Sequence, residues 1–426
     1  MRLAQTPFAV EGPPGQAALS HHLRRDSSAP LAVAYSGGGD SLALLLSVQA
    51  WAQTHGRQVI ALHVDHRLQA ASSAWADHCA AVAARLGVAF QHLVWTGPKP
   101  ETGLPAAARA ARHRLLAQAA RDLGARVLLL GHTLDDVEES RLMRSQGASA
   151  PEPRTWAPSP AWPVGRGLFV LRPLLGERRA ALRAYLSHQP HAWIEDPANE
   201  NLAYARTRAR VALAEGGVRD LPPPRQADIR ALVAAAHIHP LGAVSWPRDV
   251  LAAQPDAIAV RALSIACLCA AGSVRPPRTT ALARLLARMR TAEVFTATLA
   301  GARIEAGAQS VMIVREAGEA ARGGLIEQAL TPGPAQVWDG RFEIVTSRQG
   351  LRIRALAGLA AQLAPAEHRA LAALPPSLRP TLPAVVDEAG QVACAVLQPM
   401  GGVEIRSLVT GRLRAAAGLV AQEPAA

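Results

Sequence analysis

Six consecutive residues, Ser36-Gly37-Gly38-Gly39-Asp40-Ser41, combine three glycines with two hydroxyls and one carboxylate. Glycines let the backbone turn with successive N–H groups facing inward, and a following helix adds positive partial charge at its N-terminus. Ser36 and Ser41 can donate to phosphate oxygens. Asp40 would repel a bare phosphate, so its presence implies Mg²⁺ between carboxylate and phosphate, with Asp40 as the metal ligand. The loop is not a Walker A sequence: it lacks the G-K-[ST] ending, and the chain's single lysine is Lys99. An ordinary glycine-rich turn is the bland alternative, which the strand-like run before it and helix-like run after it disfavour.

Three more groups carry chemistry. His63-Val64-Asp65-His66 ends an apolar run. Metal binding there is disfavoured, because alternation along a strand points His63 and Asp65 one way and His66 the other. Arg109 and Arg112 are spaced i, i+3 and share a helix face, suited to phosphate; a merely exposed charged face is the alternative. Gly131-His132-Thr133-Leu134-Asp135-Asp136-Val137-Glu138-Glu139-Ser140 opens another helix, with Asp135 as the expected cap. Asp136 and Glu139 share a face of it. Carboxylates there could hold a cationic amine or take its proton, whereas the bland reading makes them first-turn acids favoured by the helix dipole.

These groups need a scaffold that brings them to one edge. Leu31 to Tyr35, Val59 to Val64, Phe90 to Trp95 and Val127 to Leu130 read as strands, separated by helical stretches. Strand and helix at this spacing imply a parallel sheet with helices on both faces, and ligands bind beyond the carboxyl ends of such strands. Most of the polar groups above lie at those ends. Residues 1–28 read as an N-terminal extension, and Ala148 to Gly167 as a mobile loop rich in Pro, Ser and Gly. The expected division is 1–28, 29–215 for the α/β domain, 216–330 mostly helical, and 331–426 a small α+β part. Asp339-Gly340 marks a turn within a hairpin reading of Val337 to Ala355, and Ala300 to Arg315 reads as another hairpin.

With 426 residues, half of them hydrophobic, the chain can bury more than one core. No apolar run is long enough to read as a membrane span, and the first residues do not read as a secretory signal, so the cytoplasm is the expected compartment. A net charge of +12 favours a polyanionic partner by counterion release, although an arginine-rich, alanine-rich composition also follows from a GC-rich genome. Four cysteines, Cys79, Cys267, Cys269 and Cys394, form no C-x-x-C pair and argue against metal or redox work.

S-G-G-x-D-S after a first strand resembles the pyrophosphate loop of the N-type ATP pyrophosphatases. In order along the chain, that loop, H-V-D-H, A-R-x-x-R, G-H-x-x-D-D, R-P-L-L at Arg172 and W-x-E-D-x-x-N from Trp193 resemble the tRNA(Ile)-lysidine synthetase family over roughly residues 29–212. The resemblance implies an adenine nucleotide alpha hydrolase-like fold. Its activity would be ATP-dependent joining of L-lysine to carbon 2 of the wobble cytidine in the CAU anticodon of tRNA(Ile), through an adenylated base. It further implies ATP and Mg²⁺ as cofactors, nucleotide contacts from Ser36 to Ser41, Val64 and His132, and catalytic roles for Asp40, Arg109, Arg112, Asp136 and Glu139. Arginines around Arg206 to Arg210 would meet the tRNA backbone. Arg67 stands where the family usually has Gly, His113 where it often has Tyr, and Ser140 where it often has Thr. A 2-thiocytidine synthetase of the same superfamily and a catalytically silent RNA-binding protein are the competing readings. The oligomeric state stays open, a homodimer included.

Overall fold

A computed structural model of the chain describes residues 12–69, 71–147, 152–195, 205–214, 228–291 and 293–425. The chain divides into two units, one of residues 1–225 and 420–426, the other of residues 226–419.

The first unit is built on β1 (Leu31–Ala34), β2 (Val59–Asp65), β3 (Ala89–Val94) and β4 (Val127–Leu129). Two shorter strands, β5 (Trp156–Pro158) and β6 (Phe169–Leu171), complete a sheet of order β3-β2-β1-β4-β6-β5, parallel except for β5. Alternation along the strands makes two separate cores. Leu31, Val33, Val59, Ala61, Val127 and Leu129 face one side, and Ala32, Ala34, Ile60, Leu62 and Leu128 the other. On the first side lie α1 (Gln16–His22), α2 (Gly39–Thr54), α3 (Ser72–Arg85) and α6 (Arg179–Ser187). On the second lies α4 (Leu104–Asp122), which contributes Leu116, Ala117 and Ala120. Helix α2 is buried on nearly every side, from Leu42 to Trp51, as expected for a helix apolar all round. The remaining helices of the unit are α5 (Leu134–Ser145) and α7 (Ala205–Ala214).

Two expectations change here. The extension read over 1–28 holds α1, whose Leu19, with the capping Leu23, is buried in the first core. Their i, i+4 spacing makes one apolar stripe, which the surrounding Pro and Gly residues obscure in sequence. The loop read over Ala148 to Gly167 contributes edge strand β5, where Trp156 stacks on Phe169. An edge strand tolerates Pro158 because one side of its backbone needs no partner. Residues 148–151 of that loop lie outside the described residues.

The chain's end belongs to this unit as well. Glu423 is buried against Arg57, accepting two hydrogen bonds at 2.7 and 2.9 Å, with further donors in Arg24 N–H and Ser27 Oγ. Breaking a buried pair strands the remaining charge. Glu423→Ala is therefore expected to lower unfolding stability by about 3–5 kcal/mol, read as the shift in the denaturation midpoint of the first unit.

The second unit is α+β. A five-stranded antiparallel sheet orders His237–Ile238, Val244–Pro247, Ser310–Arg315, Ala302–Ala306 and Phe295–Leu299. Helices Asp256–Ala270, Thr279–Arg290 and Val409–Ala417 share its core around Leu263, Leu286, Ile304 and Leu413. Residues 216–330 are thus only partly helical. Their strands are two to six residues long and flank a long alanine- and leucine-rich helical stretch, so their two-residue alternation is too brief to stand out. Ala302–Ala306 and Ser310–Arg315 pair as the expected hairpin. Asp339 and Gly340 both take positive φ, of 50° and 63°, in the turn joining Gln336–Trp338 to Phe342–Thr346. Arg352–Ala355 instead joins a separate four-stranded sheet, so Val337 to Ala355 is not a single hairpin. Among the described residues no helix is long and apolar enough to cross a membrane.

Candidate active site

The loop after β1 closes on itself. Ser36 N–H donates to Ser41 Oγ at 3.2 Å, the Ser41 hydroxyl donates to Gly38 O at 2.8 Å, and the two serine oxygens are 3.1 Å apart. Gly38 caps α2 and Gly39 begins it, so hydroxyls and unpaired helix N–H groups meet at one point. Gly37 has φ of 88°, and a Cβ there would lie 2.5 Å from Ile194 Cδ1 and 2.9 Å from Cys79 Sγ, so only glycine fits. Ile194 N–H donates to Gly37 O at 2.9 Å, which pins the segment after α6 to the loop. Asp196, Pro197, Ala198 and Asn199 of the same motif lie outside the described residues.

Beyond the ends of β1 and β2 opens a cleft of about 640 Å³, lined among others by Ser36, Gly38, Leu62, Val64 and Arg112. Its apolar floor and phosphate-binding rim suit a nucleotide. His63 is held by Tyr35 O at 3.0 Å, and burial lowers its pKa. Asp65 faces His92 at 3.7 Å and accepts Arg67 N–H at 2.7 Å. Arg67 takes φ of 52°, a left-handed conformation that glycine adopts without strain. Asp65 thus fixes a turn that a family glycine would make unaided. Among the described residues no group of three or more His, Cys, Asp or Glu side chains could hold a metal ion.

The second polar centre forms where α5 begins. Gly131 lets the loop after β4 approach the first loop, since a Cβ there would sit 3.0 Å from Asp40 O. The expected cap, Asp135, is not the N-cap of α5; Thr133 holds that position. Asp136 Oδ2 accepts both Thr133 N–H and Thr133 Oγ1, at 2.8 and 2.9 Å. Asp135 instead accepts Arg179 N–H at 2.8 Å, satisfying a free donor at the start of α6. Glu139 is buried and collects three arginines: Arg210 at 2.9 Å, Arg206 at 3.4 Å and Arg179 at 3.5 Å. Arg179 also reaches Asp40 Oδ2 at 3.0 Å and Asp136 at 3.7 Å. Burial raises the Asp40 pKa against the pull of Arg179. Asp40 Oδ1 is buried with no hydrogen-bond partner among the described residues.

Facing this acidic group is a cationic one. Arg109 and Arg112 make no hydrogen bond or ion pair to any described carboxylate; desolvation first, then repulsion by Arg206 at Arg109 and by Arg109 and Arg206 at Arg112, lowers both pKa values. Arg172 donates to His132 Nδ1 at 3.2 Å and to Arg154 O at 2.8 Å; burial and Arg109 bring its pKa to about 10. His132, expected at the nucleotide, is turned to Arg172 and is absent from the cleft lining. Burial and the same arginines keep it neutral. Such a cluster awaits an anion.

His113 sits among these arginines, its Nδ1 buried without a hydrogen-bond partner among the described residues, its pKa lowered by burial and Arg112 to about 3. The folded value lies below the ordinary 6.5, so the unfolded chain protonates first. The stability tied to neutral His113 is complete above that value and drains as pH falls toward the folded one. His113→Phe is therefore expected to lose less stability than the parent chain between about pH 7 and about pH 5, measured by denaturant titration at each pH.

Sequence reasoning missed Arg179 and the Arg172–His132 contact. Neither falls in a spacing pattern, and each acts across the fold on a group far away in the chain. The four cysteines are buried free thiols, and burial pushes each pKa up to about 12, so none is poised as a nucleophile.

Comparison with known proteins gives one consistent result. The family model described as PP-loop domain matches residues 14–216. A tRNA(Ile)-lysidine synthase of Caulobacter vibrioides is 51% identical over 418 residues, covering 96% of this chain and 98% of that protein. The tRNA(Ile)-lysidine synthase of Hyphomonas neptunium is 35% identical over 328 residues, 71% of this chain and 86% of its own. That of Mesorhizobium japonicum is 34% identical over 339 residues, 73% and 71% of the two chains.

Proposed function

Since the chain belongs to the tRNA(Ile)-lysidine synthase family, we propose that it joins free lysine to carbon 2 of the wobble cytidine in the CAU anticodon of tRNA(Ile), through an adenylated base. The enzyme is a ligase-type modifier of tRNA, and ATP is bound by its PP-loop domain. The observation that carries the finer reading is the pairing of a closed phosphate loop with Arg112, which has no carboxylate partner among the described residues, on the wall of one cleft.

In this reading adenine lies against Leu62 and Val64, and the β- and γ-phosphates lie on Gly37 to Ser41. The cytidine carbonyl oxygen attacks the α-phosphorus, and the bond to pyrophosphate breaks. Arg112, with Arg109, is positioned to offset the charge that grows on the α-phosphate oxygens. The ε-amine of lysine then attacks carbon 2, and the bond to AMP breaks. Asp136 is the better candidate to receive the amine proton, because among the described residues its Oδ1 accepts no hydrogen bond and meets Arg179 at 3.7 Å. Glu139, engaged by three arginines, is better suited to hold Arg206 and Arg210. Asp40 Oδ1 is a donor of the type Mg²⁺ takes, and the ion when bound would neutralise charge on the leaving pyrophosphate. Arginines of residues 226–419 are assigned to the tRNA backbone. The thiolating alternative is not favoured, since its sulfur chemistry calls for reactive cysteines and none is exposed.

The two-step order is tested by withholding lysine. With ATP labelled at the α-phosphate, label is expected to accumulate on the tRNA and to leave as AMP when lysine is added. Pyrophosphate release with no label held on the tRNA would remove the adenylated base from the scheme.

A further inference from the structure

Arg179 stands at the one point where all three candidate carboxylates meet. Its Nε lies 3.0 Å from Asp40 Oδ2, its Nη2 3.7 Å from Asp136 Oδ1, and its Nη1 3.5 Å from Glu139 Oε1. Each nitrogen of the fork thus faces a different residue. One contact is a good hydrogen bond and two are long, so the guanidinium satisfies the charge of the group without being tightly bound by it. Its backbone is fixed by Asp135 at the start of α6, while its side chain is 20% exposed and has an outlet to solvent. Three carboxylates with Arg179, Arg206 and Arg210 sum to no net charge. A further cation entering this group would therefore meet no net attraction while Arg179 stays in place.

We propose that Arg179 is a positioning residue that closes the acidic centre as a resident cation and yields Asp40 and Asp136 when the reaction's own cations arrive. This rests on reading Asp40 and Asp136 as the carboxylates that receive those cations. Before binding, Arg179 holds the two aspartates near each other and limits their repulsion. When a divalent ion takes the free Oδ1 of Asp40, like-charge repulsion drives the guanidinium off Oδ2 and toward solvent. Release of Asp136 Oδ1 in the same movement opens the place of the lysine ammonium. Order of binding follows: metal and nucleotide first, amine second.

The test measures free Mn²⁺ by electron paramagnetic resonance during titration of the nucleotide-free full-length protein. Arg179→Gln is expected to bind Mn²⁺ about tenfold more tightly than the parent chain, since about 1.4 kcal/mol of competition is removed. Equal or weaker binding by that variant overturns the proposal, because a purely structural arginine would leave the site unchanged or worse. Arg179→Lys keeps a charge that cannot face three carboxylates at once, and is expected to bind Mn²⁺ about threefold more tightly. Should Arg179→Gln melt below the assay temperature, Arg179→Lys decides alone: equal or weaker binding overturns the proposal there too. In steady state the Gln variant is expected to lower kcat while leaving or lowering the KM for lysine. Failure of the parent chain to make lysidine would strike at the proposed reaction, and leaves the Mn²⁺ comparison to be read independently.

Discussion

Arg112→Met is expected to reduce the rate of tRNA adenylation by about 10²–10³-fold while leaving the unfolding midpoint unchanged or slightly higher. Methionine keeps most of the apolar stem, so packing on α4 is retained, and only the guanidinium is lost. In the folded chain that residue is half-buried, its guanidinium repelled by Arg109 and Arg206 and paired with no described carboxylate. Burying an unpaired charge opposes folding, so its removal relieves the fold. The same charge becomes useful only when the α-phosphate of ATP arrives. Rapid-quench measurement of label transfer and a thermal melt, made on the same preparation, separate the two effects. A large fall in the melting temperature would mean that Arg112 supports the fold, and would remove it from the phosphate site.

Glu139→Gln is expected to do the opposite. This carboxylate is 1% exposed and is the shared anion of Arg179, Arg206 and Arg210. Neutralising it leaves three cations facing a buried amide, and breaking a buried pair costs about 3–5 kcal/mol. Arg206 and Arg210 are 38% and 37% exposed, so water screens part of that loss and the lower end, about 3 kcal/mol, is the expected value. Denaturant midpoints check it. A change below about 0.5 kcal/mol would show that the arginines find solvent instead and that Glu139 does not order α7.

The scaffold was legible wherever composition and geometry coincide. Leu31 to Ala34 and Val127 to Leu129 are continuous apolar runs because parallel strands are buried on both faces. The Ser36 to Ser41 loop was legible because Gly37 must be glycine: its backbone is left-handed and its Cβ space is filled by Ile194 and Cys79. Arg109 and Arg112 could be paired from helical spacing alone. What stayed hidden depends on groups that meet only after folding. Arg179 and Asp40 are 139 residues apart, and Arg57 and Glu423 are 366 apart. No local periodicity encodes such pairs. Asp135 shows the same limit at close range: its helix-start position suggested a cap for α5, yet its carboxylate serves α6, which only the packing of the two helices reveals. In the second unit, Phe295–Leu299 alternates apolar and polar residues, but over only five positions beside the long helix-favouring stretch that precedes it.

The central claim is that this chain adenylates the wobble cytidine and passes it to lysine. It is tested most directly by incubating the purified protein with ATP, Mg²⁺, labelled lysine and a tRNA(Ile) transcript bearing CAU, then counting label in precipitated RNA. The account predicts ATP-dependent incorporation that disappears when the wobble cytidine is replaced by uridine. Pyrophosphate release that depends on this tRNA, with no lysine incorporated under any condition, would contradict it and assign the cleft a different nucleophile.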